Sequence, residues 1–232
     1  MVCAFSALAL NNRERYLYSG WEAAVVPSQQ RAERTRQRLV RAAATEFARH
    51  GYDATSLVRI SKRAGVTMGG LAFHFRAKLD LAKAIYTDGA AATRAAVIQV
   101  GERDQTPLQS VIDITHTLAR LLADDPTVRA AGRLSQEVEQ VQASWADSWM
   151  PRVRELLRQA GRQRLLRPSA EPETVGLLVR YLVSGMEMAT RDDEDRPGLP
   201  RRLTAIWDMV LPGIANDPER LRTAAPADPS GA

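Results

Sequence analysis

The sequence predicts an all-α protein of about nine helices, with a small three-helix domain near the N-terminus and a larger helical domain after it. Apolar residues recur at helical spacing through most of the chain, and no stretch alternates apolar and polar residues for the length of a sheet strand. Glycine and proline stand where helices are expected to end and begin. With 232 residues, 45% of them hydrophobic, the chain can bury a sizeable core.

The first three helices are predicted at about 31–50, 57–64 and 67–75. Gly51 ends the first, because glycine adopts the left-handed backbone that often follows a last helical turn. Gly65 forms the turn between the second and the third for the same reason. The candidate N-cap residues are Thr55 or Ser56 for the second helix and Thr67 for the third.

Six further helices are predicted, at about 78–100, 107–122, 126–141, 144–164, 173–190 and 200–214. Pro107 and Pro126 each open one, since a first-turn residue needs no amide hydrogen. The expected domains are a disordered extension at 1–27, a small domain at 28–77, a larger domain at 78–216 and a flexible tail at 217–232. The apolar run near the start lacks the preceding positive charge of a secretory signal.

The charge is concentrated in one part of the chain. From Arg31 to Asp88 there are twelve Lys or Arg against five Asp or Glu, whereas the rest has twenty against twenty-two. A basic segment joined to a near-neutral remainder favours a polyanion-binding module, although a solvated helix surface would look similar. The single cysteine, Cys3, excludes a disulfide framework and a cysteine-based zinc site, and the three histidines lack metal-ligand spacing. No metal and no cofactor are expected.

Two short helices separated by a glycine turn have the spacing of a helix-turn-helix. In such a motif the second helix presents its N-terminal residues to the DNA major groove, and the arginines of the first helix can neutralise phosphates. A generic pair of antiparallel helices with a glycine turn is the alternative.

About fifty residues resemble the DNA-binding domain of the tetracycline-repressor (TetR) family. The matching residues, in order, are Arg34-Thr-Arg, Ala42-Ala43, Phe47, Gly51-Tyr52, Thr55-Ser56, Ile60, Ala64-Gly65-Val66-Thr67, Gly69-Gly70-Leu71, Phe73-His74-Phe75, Lys78 and Leu81. The resemblance implies an all-helical homodimeric repressor that binds a pseudo-palindromic double-stranded DNA operator. It also implies a cytoplasmic, nucleoid-associated protein. No apolar run of eighteen or more residues is present, so no membrane-spanning helix is expected.

The resemblance and the motif together assign a DNA-binding set: Arg34, Thr55, Ser56, Thr67, Met68, Gly70, His74 and Lys78. Lys78, Thr55 and Ser56 are expected at phosphates, and Thr67, Met68 and Gly70 at base edges. Met68 and the Thr67 methyl group can make only apolar contacts, for instance with a thymine methyl. The chain departs from the family at Met68, Ala72 and Arg76, where a polar residue, an aromatic residue and proline are usual. These departures lie on the DNA-reading helix, so the operator sequence does not follow from the resemblance.

The C-terminal part resembles the γ-butyrolactone receptor branch of Streptomyces-type actinomycetes. The matching residues are 128–134, Trp145, Trp149, and the segments Leu199, Ile206-Trp207 and 211–214. The resemblance implies control of antibiotic production by a small apolar ligand such as a γ-butyrolactone, a butenolide or a furan. Some related pseudo-receptors bind antibiotics instead.

The ligand-binding set follows from that resemblance and from the pairing of two tryptophans. Trp145 and Trp149 are four residues apart and would share a helix face, with Trp149 against the ligand. Core packing is the alternative for both. The candidate polar anchors are Gln136, Thr115 and Ser184.

Dimerisation is expected from apolar stripes on the last two long helices: Leu177, Leu178, Tyr181, Leu182 and Gly185, and Leu203, Ile206, Trp207, Val210 and Leu211. The intrachain core is expected to take some of these positions. No constellation of catalytic residues points to an enzyme. A helical adaptor that has lost DNA binding also stays open, because of Met68 and Ala72.

Overall fold

The computed structural model describes residues 12–191 and 198–224, with side chains from residue 29 onward. These residues form nine α-helices and no strand-paired sheet, which confirms the all-α prediction. The helices are α1 (Asn12–His50), α2 (Leu57–Ala64), α3 (Met68–His74), α4 (Lys78–Gly101), α5 (Pro107–Asp124), α6 (Pro126–Glu137), α7 (Met150–Arg162), α8 (Pro172–Ala189) and α9 (Leu199–Ile214). Short 3₁₀ turns lie at Glu139–Val141, Trp145–Ser148 and Pro218–Arg220.

Helix α1 is longer than the sequence predicts. It begins at Asn12 and contains 39 residues, so residues 12–27 continue the helix instead of forming the expected disordered extension. Residues 1–11 of that extension lie outside the described residues. From Leu39 to Phe47 the helix buries an apolar face against α2 and α3, as its spacing predicts.

The small domain is built around the two predicted glycine turns. Gly51 has φ 79° and Gly65 has φ 60°, so both adopt the left-handed conformation that the sequence predicts. Ile60, Leu71 and Phe75 fill the angle between α2 and α3 and are almost fully buried. Burial of these side chains against α1 fixes the orientation of α3 relative to the rest of the domain.

The larger domain surrounds α5, which is buried on nearly every side. Helices α4, α7, α8 and α9 pack around it, and α6 lies between α4 and the C-terminal half of α1. The prolines at the start of α5 and α6 occupy first-turn positions, as predicted. The two domains therefore meet along α4 and α6. Because both helices contact α1, a displacement of either one would also move the small domain.

The predicted helix at 144–164 is interrupted. Trp145–Ser148 form a 3₁₀ turn, Trp149 has φ −134° and ψ −32°, and α7 starts at Met150. Pro151 lacks the amide hydrogen that a continuous helix would need at that point and is instead tolerated in the first turn of α7. Trp145 and Trp149 consequently do not share one α-helical face.

The chain after α9 is fixed across α5 as far as residue 224, in contrast to the flexible tail predicted from 217. The side-chain amide of Gln109 donates to the Arg222 carbonyl at 3.0 Å and accepts from the Arg222 amide at 2.8 Å. The His116 Nε2 atom lies 2.6 Å from the Thr223 carbonyl oxygen. These contacts hold residues 222 and 223 against polar side chains of α5.

Candidate functional site

The exposed face of α3 is apolar. Thr67 caps the helix by accepting from the Gly70 amide at 3.1 Å, so its oxygen is engaged within the chain. Leu71 points into the core, whereas Met68 is 43% exposed and Phe73 79% exposed. The half-buried ring of His74 makes an edge contact with Phe73, with 5.2 Å between ring centroids.

The two glycines of α3 have different surroundings. A Cβ atom on Gly70 would lie 2.9 Å from Val66 Cγ1, so Gly70 faces the turn and not the exterior. This corrects the expectation that Gly70 faces base edges. A Cβ atom on Gly69 would meet no atom of the chain within 4 Å, so Gly69 is the glycine on the open side.

Several basic side chains near α3 are engaged in holding the helices together. Arg59 and Arg63 on α2 both pair with the buried carboxylate of Glu46 on α1. Arg38 donates to the Ala64 carbonyl at 2.6 Å and thereby caps the end of α2. Arg34, predicted to bind DNA, is exposed on α1 and remains available to a phosphate.

Thr55 and Ser56 differ in accessibility. The Thr55 side chain is buried and donates to the carbonyls of Gly51 and Glu46, at 2.7 and 3.2 Å. Its hydroxyl is therefore not presented to a phosphate, which corrects the expectation. Ser56 is exposed and accepts from the Arg59 amide as the N-cap of α2, so it remains at a surface that a phosphate can reach.

Lys78 connects the start of α4 to the loop between α1 and α2. Its Nζ atom donates to the carbonyls of Tyr52 and Thr55, at 2.9 and 3.1 Å, and lies 4.2 Å from the centroid of the Tyr52 ring. Two of its three N–H donors are thus engaged inside the protein. The geometry makes Lys78 a positioning residue for this loop, and its third N–H group is not used by these two hydrogen bonds, so the predicted phosphate contact stays a prediction.

The two candidate ligand-binding tryptophans are neighbours in the core of the larger domain. Their ring centroids are 6.1 Å apart, and both side chains are buried. Trp145 Nε1 donates to Thr93 on α4 at 3.0 Å, whereas Trp149 Nε1 is buried without a hydrogen-bond partner among the described residues. An unpaired buried donor is destabilising by about 1–3 kcal/mol. We therefore expect a hydrogen-bond acceptor on a ligand to bind at Trp149 Nε1.

The structure does not bring the three predicted polar anchors to these tryptophans. The Thr115 hydroxyl accepts from Trp207 Nε1 at 2.9 Å and donates to the Ile112 carbonyl, which fully engages it in the core. Ser184 lies on the exposed side of α8. Gln136 binds Glu187 instead, and it is therefore a link between α6 and α8.

Glu187 is a buried carboxyl group that the sequence analysis missed. It accepts from Gln136 Nε2 at 2.7 Å and packs against Gly132, where a Cβ atom would lie 2.9 Å from its Oε1. Burial raises the pKa of Glu187 to about 7, and the positive charge of Arg191 partly opposes this shift. A charged residue inside the apolar segment 183–189 was the available signal.

Helix α6 also binds the small domain. Arg133 Nη1 lies 3.3 Å from the carbonyls of both Ala48 and Arg49 at the end of α1. Glu137 accepts from the Tyr52 amide at 2.7 Å and pairs with Arg133 at 2.6 Å. In the sequence, Arg133 and Glu137 have only the spacing of a surface i,i+4 pair, so this role could not be recognised there.

The apolar stripes predicted for dimerisation divide between core and surface. Leu203, Trp207 and Leu211 of α9 are buried within the chain, which corrects their assignment to an interface. The outer faces of α8 and α9 nevertheless expose large apolar side chains: Leu177, Tyr181, Met188 and Met209. A surface groove of about 240 Å³ between α8 and α9 adjoins them and includes Ile206.

No helix among residues 12–191 and 198–224 combines the length and the apolar character needed to cross a bilayer.

Comparison with known proteins places these features among bacterial regulators. Residues 39–85 match the family described as bacterial regulatory proteins, tetR family. The A-factor receptor protein of Streptomyces griseus is 28% identical over 190 residues, which are 81% of this chain, and this chain spans 66% of that protein's length. A crystal structure of a γ-butyrolactone receptor, described as ArpA-like, is 30% identical with a TM-score of 0.70 and is matched over 83% of this chain and 94% of its own. The TetR family protein CprB from Streptomyces coelicolor, studied in complex with its biological operator sequence, is 31% identical with a TM-score of 0.67, over 82% of this chain and 92% of its own.

Proposed function

We propose, since this chain belongs to the TetR family of transcriptional regulators and is related to γ-butyrolactone receptors, that it is a homodimeric repressor that a small apolar ligand releases from its operator. The ligand class is a γ-butyrolactone, a butenolide or a furan, and the regulated genes serve antibiotic or other secondary metabolism. A pseudo-receptor that responds to an antibiotic is the second candidate. A helical adaptor without DNA binding is the third.

The exposed face of α3 is the observation that carries the proposal of DNA binding. It is held in a fixed orientation by the burial of Leu71 and Phe75, and basic residues surround it. Lys62 and Arg76 are exposed on either side of the turn and helix. A fixed helix with cationic flanks suits the major groove and the phosphates on its two edges.

The unpaired Nε1 atom of Trp149 supports the proposal of a ligand. An apolar ring with one carbonyl oxygen could pack against the two indoles and accept from this donor, as a lactone would. Both tryptophans are buried, so the ligand would have to separate the surrounding helices in order to enter. Differential binding to the separated state would then shift the equilibrium between two conformations.

Helix α4 provides a physical connection from the tryptophans to the small domain. Trp145 is bound to Thr93 in the middle of α4, and Lys78 at the start of α4 holds the loop before α2. A tilt of α4 would change the separation of the two recognition helices, which should be about one DNA turn, roughly 34 Å, or a multiple of it. A shift from 1:99 to 99:1 needs about 5.5 kcal/mol of differential ligand affinity.

The proposal is tested with the purified full-length dimer and the DNA upstream of its own gene. We expect salt-sensitive, sequence-specific binding in an electrophoretic mobility shift assay, and release by one of three probes: an alkyl γ-butyrolactone, a butenolide or a furan carboxylic acid. Binding that no probe reverses would favour the pseudo-receptor. Failure to prefer any sequence in a selection from random duplexes would contradict DNA-binding repression and favour the adaptor.

A further inference from the structure

Apart from the N-cap residue Thr67, the outward face of α3 has no side chain that can form a hydrogen bond with a base edge. The residues on that face are Met68, Gly69, Ala72 and Phe73, which follow one another at helical spacing. The Thr67 hydroxyl oxygen accepts from the Gly70 amide as the N-cap, and the half-buried His74 makes an edge contact with the Phe73 ring. The usual base-reading groups, which are arginine, asparagine, glutamine and carboxylate, are therefore absent from this face.

Exposure of these apolar groups has no explanation within the chain. An aromatic ring that is 79% exposed and a methionine that is 43% exposed lie on one surface of a helix only seven residues long. A surface helix normally turns polar residues to the solvent, and a contiguous apolar patch marks a binding surface. The exposed cations Lys62 and Arg76 beside it indicate a polyanionic partner, which favours a DNA duplex over an apolar protein surface.

Gly69 adds an independent observation. Glycine inside a helix is destabilising relative to alanine, and Gly70 is explained by the 2.9 Å distance that a Cβ atom would have to Val66. Nothing in the chain lies within 4 Å of a Cβ atom on Gly69. The space that Gly69 leaves is on the same side as Phe73, one turn away, so it is available to a molecule that approaches α3 from outside.

We propose that this face recognises the C5-methyl groups of thymine in the major groove, with Phe73 as the principal specificity-determining residue, Met68 as the second, and Gly69 leaving room for the base edge. The C5-methyl group is the apolar feature that a base pair presents in the major groove, so it is the feature that these side chains can distinguish. This inference rests on the proposed function. The sequence predicts apolar contacts from Met68 and the Thr67 methyl group, and the structure adds Phe73.

The experiment begins with an operator selected from random duplexes by the full-length dimer. Each thymine of the half-sites is then replaced by deoxyuridine, which removes only the methyl group. We expect the affinity to fall about fourfold for each contacted methyl, the factor that corresponds to about 0.8 kcal/mol per buried methyl or methylene. The same T·A pair is also replaced by cytosine·guanine and by 5-methylcytosine·guanine. The second of these pairs carries the methyl group and should regain part of the affinity that the first loses.

Two variants connect the effect to the residue. Phe73→Ala should lower operator affinity and abolish the deoxyuridine penalty at one position of each half-site, without lowering the melting temperature, because the side chain is exposed. Gly69→Ala should fold at least as well as the wild type and bind the operator more weakly. Ile98→Ala on α4, a residue 49% exposed in the other domain, is the control and should leave the deoxyuridine penalty unchanged.

The outcomes separate the inference from the proposed function. Sequence-specific binding that tolerates deoxyuridine at every thymine would overturn methyl recognition and leave the repressor intact. A deoxyuridine penalty that persists in Phe73→Ala would overturn the assignment to Phe73. Absence of any selected sequence would overturn the proposed function itself. Self-association through the face, lost in Phe73→Ala and unaffected by DNA, would identify it as a protein contact and contradict the inference.

Discussion

A pair of matched substitutions, Trp149→Phe and Trp145→Phe, tests whether the unpaired indole is the ligand-binding group. Both changes remove one ring of a buried tryptophan and leave an aromatic side chain, so they lose similar apolar volume. They differ in the fate of the N–H group. Trp145→Phe removes a 3.0 Å hydrogen bond to Thr93, whereas Trp149→Phe removes a buried donor without a partner.

The difference in stability can be worked from these contacts. Loss of a buried hydrogen bond is destabilising by about 0.5–1.5 kcal/mol, and removal of an unsatisfied donor recovers about 1–3 kcal/mol. Trp145→Phe should therefore be about 3 kcal/mol less stable than Trp149→Phe. For a chain of this size that corresponds to a melting temperature lower by about 6–12 °C.

Ligand response should show the opposite order. In the ligand-free protein, Trp149→Phe is the less destabilising of the two changes. The Trp149→Phe protein should nevertheless need up to about tenfold more alkyl γ-butyrolactone than the wild type for release from the operator, because one hydrogen bond to the ligand is lost. Melting temperature and ligand-induced release, followed by fluorescence anisotropy of a labelled operator, are measured on both variants. Equal melting temperatures would refute the argument about the unpaired donor, and unchanged release from Trp149→Phe would refute its place in the pocket.

Three further predictions concern other parts of the molecule. The pKa of Glu187 is raised to about 7, so the stability that comes from its protonated form is lost as the pH rises from about 4.5 to 7. In urea unfolding, Glu187→Gln should be more stable than the wild type by about 3 kcal/mol at pH 8 and similarly stable at pH 4.5. A difference that does not change with pH would contradict this prediction. Tyr181→Asp places a charge on the outer face of α8 and should convert a dimer to a monomer in sedimentation, and an unchanged mass would exclude that face as the interface. Lys78→Met removes two hydrogen bonds and should destabilise the fold by about 1–3 kcal/mol. Unchanged stability, together with a slope of log K against log[salt] that is reduced by about one, would instead identify a phosphate contact.

The helices and their ends were largely predictable because their determinants are local. The left-handed glycines, the Thr67 cap and the opening prolines act within four residues of the backbone that they shape, so the sequence carries them directly. The break before α7 was missed although its signal, Pro151, was present inside the predicted helix. Helical spacing alone predicts an unbroken helix there and puts Trp145 and Trp149 on one α-helical face.

Side-chain roles were less predictable, because a polar atom at a suitable position can be engaged by a distant partner. Thr55, Thr115 and Gln136 all have groups suited to a ligand or a phosphate, and all three are bonded inside the chain. Gln136 binds Glu187, 51 positions away, and Thr115 binds Trp207, 92 positions away. Sequence spacing carries no information about partners at such separations.

Residues whose identity the fold does not explain are those at which function is to be sought. A group with a partner inside the chain is explained by the fold. Gly70 is explained by its close approach to Val66, and the Trp145 N–H group is explained by its hydrogen bond to Thr93. The corresponding groups that the fold does not explain are Gly69, with no neighbour, and Trp149, with no hydrogen-bond acceptor. Each stands beside its explained counterpart in the same local structure, so composition and position are nearly matched within each pair. Loss of operator affinity in Gly69→Ala and loss of ligand response in Trp149→Phe, each in a protein that remains folded, would show that these two sites are retained for contacts outside the chain.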